Sequence, residues 1–259
     1  MEVHKRTALI TGASGGIGAE FARQLAARQA NLVLVARRQD RLNDLRDSLI
    51  RLHPDLEIDV VATDLAKPGS AARLTDEVTR LGRSVDILIN NAGVGSHGDF
   101  ADQDRDQAAA MIQLNCGTLV ELTGRYFPAM VKARRGLIIN LGSTASFQPT
   151  PKMAVYGGTK AFVLAFTEAL WQEARGTGVR VLVLCPGGTD TDFYLRTGKE
   201  FLTRGRQTSE QVVDTALRAV ERSGPTVVSG RLNAVLANGY RFSPRRLMLS
   251  IAEQRLKAR

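Results

Sequence analysis

Two groupings in this sequence have the residue types and the spacing to do chemistry. One is Tyr156-Gly-Gly-Thr-Lys160. On a helix, residues at that spacing share one face a turn apart. A free phenol titrates near pH ~10, too high for an efficient base at neutral pH, and a neighbouring ammonium favours the phenolate. Such a pair can give a proton to an oxygen that is gaining charge, as when a carbonyl is reduced to an alcohol. The other grouping is Thr11-Gly-Ala-Ser-Gly-Gly-Ile-Gly18, in which Gly12, Gly16 and Gly18 are joined by Ser14 and Ile17. An apolar run precedes this loop and an amphipathic stretch follows it. In that setting a turn lets backbone N–H groups at a helix start approach a pyrophosphate. Neither grouping is decisive alone: a Tyr/Lys pair on a helix is usually coincidence, and any tight strand-to-helix turn favours glycine.

The next apolar run distinguishes between dinucleotides. It ends Val35-Ala36-Arg37-Arg38, with no carboxylate before Asp40. An NAD site usually places an acid there for the ribose 2′-hydroxyl. An arginine instead meets a 2′-phosphate through charge-assisted hydrogen bonds and stacks on adenine. Arg37, with Arg38 beside it, therefore points to NADP(H).

The elements that must hold these residues are readable from periodicity. Strands are expected at 7–10, 31–36, 57–62, 86–90, 136–141, 179–184 and 225–228. Helices are expected at 16–28, 41–52, 71–81, 105–133 and 154–175. Ile17, Phe21 and Leu25 form one buried stripe, and Leu42, Leu45, Leu49 and Leu52 another. Continuously apolar strands separated by helices imply a parallel sheet covered on both faces. The fold class is thus α/β, a doubly wound, Rossmann-like single domain in which ligands bind beyond the carboxyl ends of the strands.

Composition agrees. The 259 residues suit one such domain, and 44% hydrophobic with 24% charged residues is ordinary for a globular protein. Cys116 and Cys185 are expected to be buried structural thiols, and His4, His53 and His97 show no metal-ligand spacing. No signal peptide and no spanning apolar run is visible, so a cytoplasmic protein is expected. The net charge is +9, but no nucleic-acid motif accompanies it and aromatics are few, which argues against nucleic acid as a partner. The surplus is concentrated late, in a basic extension from about 231 to 259.

The motifs taken together resemble the classical short-chain dehydrogenases/reductases. The glycine loop, Asn90-Asn-Ala-Gly93, Asn115, Ser143, Tyr156-Gly-Gly-Thr-Lys160 and Pro186-Gly187 occur in that family's order and spacing from about Thr7 to Asp192. The stretch LVLVARRQDRL is similar to a bacterial branch that also resembles the 3-ketoacyl and 17β-hydroxysteroid reductases. The resemblance implies a catalytic set of Asn115, Ser143, Tyr156 and Lys160. Ser143 would hydrogen-bond the substrate oxygen, Lys160 would also bind the nicotinamide ribose, and Asn115 would hold a relay water. It implies that Asp64 and Leu65 border the adenine, and that Asn91, Ala92 and Gly93 pass along the adenosine ribose. Asn90 would be a structural link between strands. Pro186 and Gly187 would turn over the nicotinamide, with Thr189 on its carboxamide. Threonine at 189 departs from the valine or isoleucine common there.

Substrate choice should lie in the loops 94–100, 145–155 and 193–207, the last within a lid at about 188–210. Their Phe147, Met153, Phe193, Tyr194 and Phe201 suggest an apolar ketone. A second reading is an NADPH-sensing module without turnover, although such a module would not need all four catalytic residues. The resemblance further implies a homodimer or homotetramer, built from the helices at 105–133 and 154–175. In the tail, Leu247, Met248, Ile251, Ala252 and Leu256 form a stripe edged by cations. It could pack on the body or make weak contact with an anionic membrane surface.

Overall fold

The computed structural model describes residues 3–193, 206–221 and 224–240, together with Pro244, Arg246, Leu249, Ser250, Ala252 and Gln254. Tyr194 and Phe201 of the expected lid, and Leu247, Met248, Ile251 and Leu256 of the tail stripe, lie outside the described residues.

The strands are β1 (Thr7–Thr11), β2 (Asn31–Ala36), β3 (Ile58–Ala62), β4 (Val85–Asn90), β5 (Gly136–Leu141), β6 (Val179–Cys185) and β7 (Thr226–Val228). They form one sheet in the order β3-β2-β1-β4-β5-β6-β7, parallel throughout. Side chains alternate between its faces, as a strand's period of two requires. Ala8, Ile10, Leu32, Leu34, Ile87 and Ile89 face one way. They pack with Phe21 and Leu25 of α1 (Gly16–Ala26), Leu42 and Leu45 of α2 (Gln39–Leu52), and Val212 and Val213 of α7 (Ser209–Ala219). Leu9, Val33, Leu88 and Ile138 face the other way. Their partners are Leu74 of α3 (Ser70–Arg80), Leu122 and Met130 of α5 (Thr118–Lys132), and Leu170 of α6 (Ala154–Glu173). The expected Rossmann-like domain is therefore the observed one. Among the described residues no helix is long and apolar enough to cross a membrane.

Four local readings need correction. The single helix expected at 105–133 is two, α4 (Arg105–Ile112) and α5, joined by a π-helical turn at Gln113–Gly117. The Leu42 stripe stops at Leu49, because Leu52 is the last residue of α2 and stands 72% exposed. Cys185 is buried but Cys116 is only partly so, and both are free thiols. Two helices escaped the periodicity reading, α7 and α8 (Arg231–Gly239). The start of α7 carries a capping box in which Thr208 and Gln211 satisfy each other's backbone N–H groups, a signal legible in Thr208-Ser-Glu-Gln211.

Candidate active site

The order of the sheet reverses between β1 and β4, and the unusual residues follow the carboxyl ends of the strands around that point. They line a cleft of about 740 Å³.

Its floor is the glycine loop. The Thr11 hydroxyl donates to the Ile89 carbonyl (3.1 Å) and accepts from the N–H groups of Asn91 and Ala92 (3.0 Å each). The Asn91 amide donates to the carbonyls of Thr11 (2.8 Å) and Gly12 (3.3 Å). This packing leaves no room for side chains. Gly12 has φ +69°, and a Cβ there would lie 2.7 Å from Asn91 Nδ2. At Gly18 a Cβ would lie 2.4 Å from the Gly12 carbonyl oxygen. Gly16 opens α1, whose first turn has no side-chain cap and no acid. Its free N–H groups thus form a ready anion site, with Ser14 and Ile17 in the wall. Arg38 reaches back to the Ser14 hydroxyl (3.3 Å), whereas Arg37 is exposed, and both line the cleft.

Asp64, Leu65, Ala92 and Gly93 also line the cleft. One Asp64 oxygen accepts from Ala66 N–H (3.1 Å). Leu65 is buried, and its carbonyl accepts from the hydroxyls of Thr118 (2.7 Å) and Ser70 (3.1 Å). Asn90 points the other way: its amide donates to Thr123 (3.1 Å) and to Asn140 (2.9 Å), its register partner on β5. Asn140 in turn donates to Thr167 of α6 (3.0 Å). Asn90 is thus a link between β4, β5 and two helices, outside the cleft wall.

Ser143, Tyr156 and Lys160 line the same cleft. Ser143 caps the short turn Thr144–Phe147: its hydroxyl accepts from Ala145 N–H, and its own N–H donates to Ser146 Oγ (both 3.1 Å). With that lone pair engaged, the Ser143 O–H is left to donate. Lys160 is buried, donates to the Leu141 carbonyl (2.6 Å) and lies 5.8 Å from the Tyr156 ring centroid. Burial lowers its pKa to about 8, opposed weakly by the thiols of Cys185 and Cys116. Cys185, held up at about 12 by its own burial, is a neutral thiol where Lys160 titrates, so desolvation decides the direction.

Asn115 is buried in the π-turn. Its side chain accepts from Val94 N–H and donates to the Val94 carbonyl and Thr159 hydroxyl (each 3.0 Å). Pro186, Gly187 and Thr189 form the roof. The Pro186 carbonyl accepts from Thr144 N–H (2.9 Å), and the buried Thr189 hydroxyl donates to the Gly187 carbonyl (3.2 Å), leaving it free to accept.

The outer cleft is apolar. Phe193 packs on Tyr156 with ring centroids 5.4 Å apart, and Met153 is buried beside both. Phe147, Val235, Leu236 and Ala252 complete the wall. The contribution of α8 is absent from the sequence reading. Its Asn233 amide would lie 2.4 Å from a Cβ at Gly187, and the spacing Leu232, Val235, Leu236 was the available signal.

A profile described as short chain dehydrogenase matches residues 6–200. A very-long-chain 3-oxoacyl-CoA reductase of Pyrenophora tritici-repentis is 35% identical over 227 residues, covering 84% of this chain and 64% of that protein. Sulfoacetaldehyde reductase 2 of Chromohalobacter salexigens is 38% identical over 197 residues, 73% of this chain and 75% of that one. A solved structure of a short-chain dehydrogenase from Sphingobium yanoikuyae in complex with NADPH superposes with a TM-score of 0.84 at 32% identity, covering 94% of this chain and 95% of the other.

Proposed function

Because the chain belongs to the short-chain dehydrogenase family, we propose that it is an NADP(H)-dependent carbonyl reductase, with Tyr156 as proton donor and Ser143, Lys160 and Asn115 as its helpers. One observation carries this reading: Ser143, Tyr156 and Lys160 share a cleft whose floor is the glycine loop. The cradle fits a dinucleotide, since a Cβ at Gly12 or Gly18 would fill it and the uncapped start of α1 faces it. Gly12, Ser14, Gly16, Ile17 and Gly18 would hold the pyrophosphate, and Asp64, Leu65, Asn91, Ala92 and Gly93 the adenosine. Arg37 and Arg38 would meet a 2′-phosphate, and Pro186, Gly187 and Thr189 would cover the nicotinamide. Bound there, NADPH supplies the hydride.

The protein's own residues do the rest. The Ser143 O–H donates to the substrate oxygen, stabilising the charge that develops on it. Tyr156 Oη gives that oxygen its proton. The Lys160 ammonium stabilises the phenolate left behind. The proton is then replaced from solvent through Lys160 and a water held at Asn115.

An ammonium titrating at about 8 makes this machinery pH-sensitive. Its pKa is depressed, so the charged form is lost as the pH rises through 8. We expect kcat/KM for NADPH to be flat below that value and to fall above it. A profile still flat at pH ~10, the ordinary lysine range, would contradict the role of Lys160.

The apolar outer cleft supports an apolar ketone as substrate. The named relatives act on chemically different carbonyls, so the test is a panel of alkyl and aryl ketones set against a small anionic aldehyde, with NADPH consumption followed. Each buried methylene is worth about 0.8 kcal/mol, so kcat/KM should rise roughly fourfold per methylene until the cleft is filled. Preference for the anionic aldehyde would overturn the apolar assignment, and no oxidation in a single turnover on any carbonyl would overturn the enzyme.

Exposed apolar side chains on the helices beside the site support association. Ile112, Val120 and Phe162 are 51%, 36% and 45% exposed, and Phe162 stacks on Phe166 at 6.0 Å. A second copy covering this face would give an isologous dimer. Light scattering at micromolar concentration should return two or four times the 28.1 kDa chain mass, and a monomer mass would contradict the proposal.

A further inference from the structure

The short helix α8 exposes large aliphatic side chains on one face. Leu232 is 71%, Val235 69% and Leu236 45% exposed, and Leu249 in the tail is 40% exposed. Residues 232, 235 and 236 stand one turn apart or less, so they form a continuous apolar strip. Val235 and Leu236 also belong to the cleft wall, so the strip borders the cleft. The sequence around it is cationic. Between Glu221 and Glu253 the sequence holds Arg222, Arg231, Arg241, Arg245 and Arg246 and no acidic residue. Of these, Arg231 at the start of α8 and Arg246 are described, and both are exposed.

We propose that α8 docks the protein peripherally on an anionic lipid surface, its aliphatic strip in the headgroup boundary and its arginines on the lipid phosphates. An apolar strip edged by cations is what such a surface binds. A second copy of the chain is a poorer occupant, because isologous pairing through this face would bring the exposed, like-charged Arg231 of both copies into one interface. An acidic protein would meet the arginines but leaves the aliphatic strip unexplained. Docked this way, the cleft opens beside the bilayer, where an apolar ketone dissolves. The docking itself requires no turnover, so it stands or falls separately from the proposed reaction.

The test is co-sedimentation of the full-length protein with vesicles of phosphatidylcholine containing phosphatidylglycerol, against phosphatidylcholine alone. Sedimentation is expected with the anionic vesicles only, and raised salt should weaken it. Arg231→Glu and Arg246→Glu should each lower the partition coefficient by about fivefold or more, and Leu232→Glu should lower it too. None of these three side chains lines the cleft, so all three variants should reduce a water-soluble ketone at the wild-type rate. The proposal fails if the wild type stays in the supernatant with anionic vesicles at low salt, or if the variants sediment as it does. It also fails if Leu232→Glu halves the molar mass in solution, since the strip would then be covered by another copy.

Discussion

Tyr156→Phe is expected to lower kcat for ketone reduction by about 10²-fold or more while leaving NADPH binding intact. The substitution deletes one oxygen and keeps the ring. The ring would still pack against Phe193 at 5.4 Å, and Lys160 would still be held by the Leu141 carbonyl at 2.6 Å. What disappears is the proposed proton donor, and positioned general acids contribute about 10²- to 10⁴-fold. Because the lost interaction is made only as charge develops, kcat and kcat/KM should fall together with little change in KM. Steady-state kinetics on any ketone reduced by the wild type makes the measurement. Wild-type turnover by the variant would remove Tyr156 from the mechanism.

Arg37→Asp should carry the next largest effect, a reversal of cofactor preference. In the wild type NADPH should bind more tightly than NADH, by about tenfold or more, as a charge-assisted contact to the 2′-phosphate implies. Arg37 is exposed, so solvent screening keeps the effect below that of a buried pair. The new carboxylate would repel the phosphate and accept from a ribose 2′-hydroxyl instead. Arg38 provides the contrast. It is also tied to Ser14 in the glycine loop, so Arg38→Ala should weaken NADH as well as NADPH, by loosening the loop, with NADPH losing the 2′-phosphate contact in addition. Dissociation constants for NADPH and NADH, titrated on wild type and both variants, separate the two roles. Equal wild-type constants would dispose of the argument.

Much of the fold was legible because its signals are local. The β2 run Asn-Leu-Val-Leu-Val-Ala is apolar at every position after the first, which a strand buried on both faces requires, and its observed bounds are the expected ones. The glycine loop was legible for the same reason: strand, turn and helix are contiguous. The misses were elements whose form depends on distant partners. Nothing in Gln113–Gly117 announces a π-turn, because what engages Asn115 there is the Val94 backbone and the Thr159 hydroxyl. Leu52 fits its stripe by spacing, but at the very end of α2 it stands 72% exposed while Leu49, one turn earlier, is buried.

The sequence by itself determined the class of fold, the family, and which side chains are candidates for the chemistry, because each rests on residue type and short-range spacing. Tyr156 and Lys160 share a face wherever that segment is helical. Only the tertiary structure decided what those residues meet. Ser143 joins them because β5 and α6 bring together segments that no local periodicity connects. The Lys160 pKa is lowered because the surrounding fold excludes water from it, and burial is a property of everything packed around a group. The same holds for α8: the spacing of Leu232, Val235 and Leu236 marks one apolar face, and only the structure shows it exposed at the cleft. A pattern states which faces are apolar, and the assembled chain fixes which of them find cover.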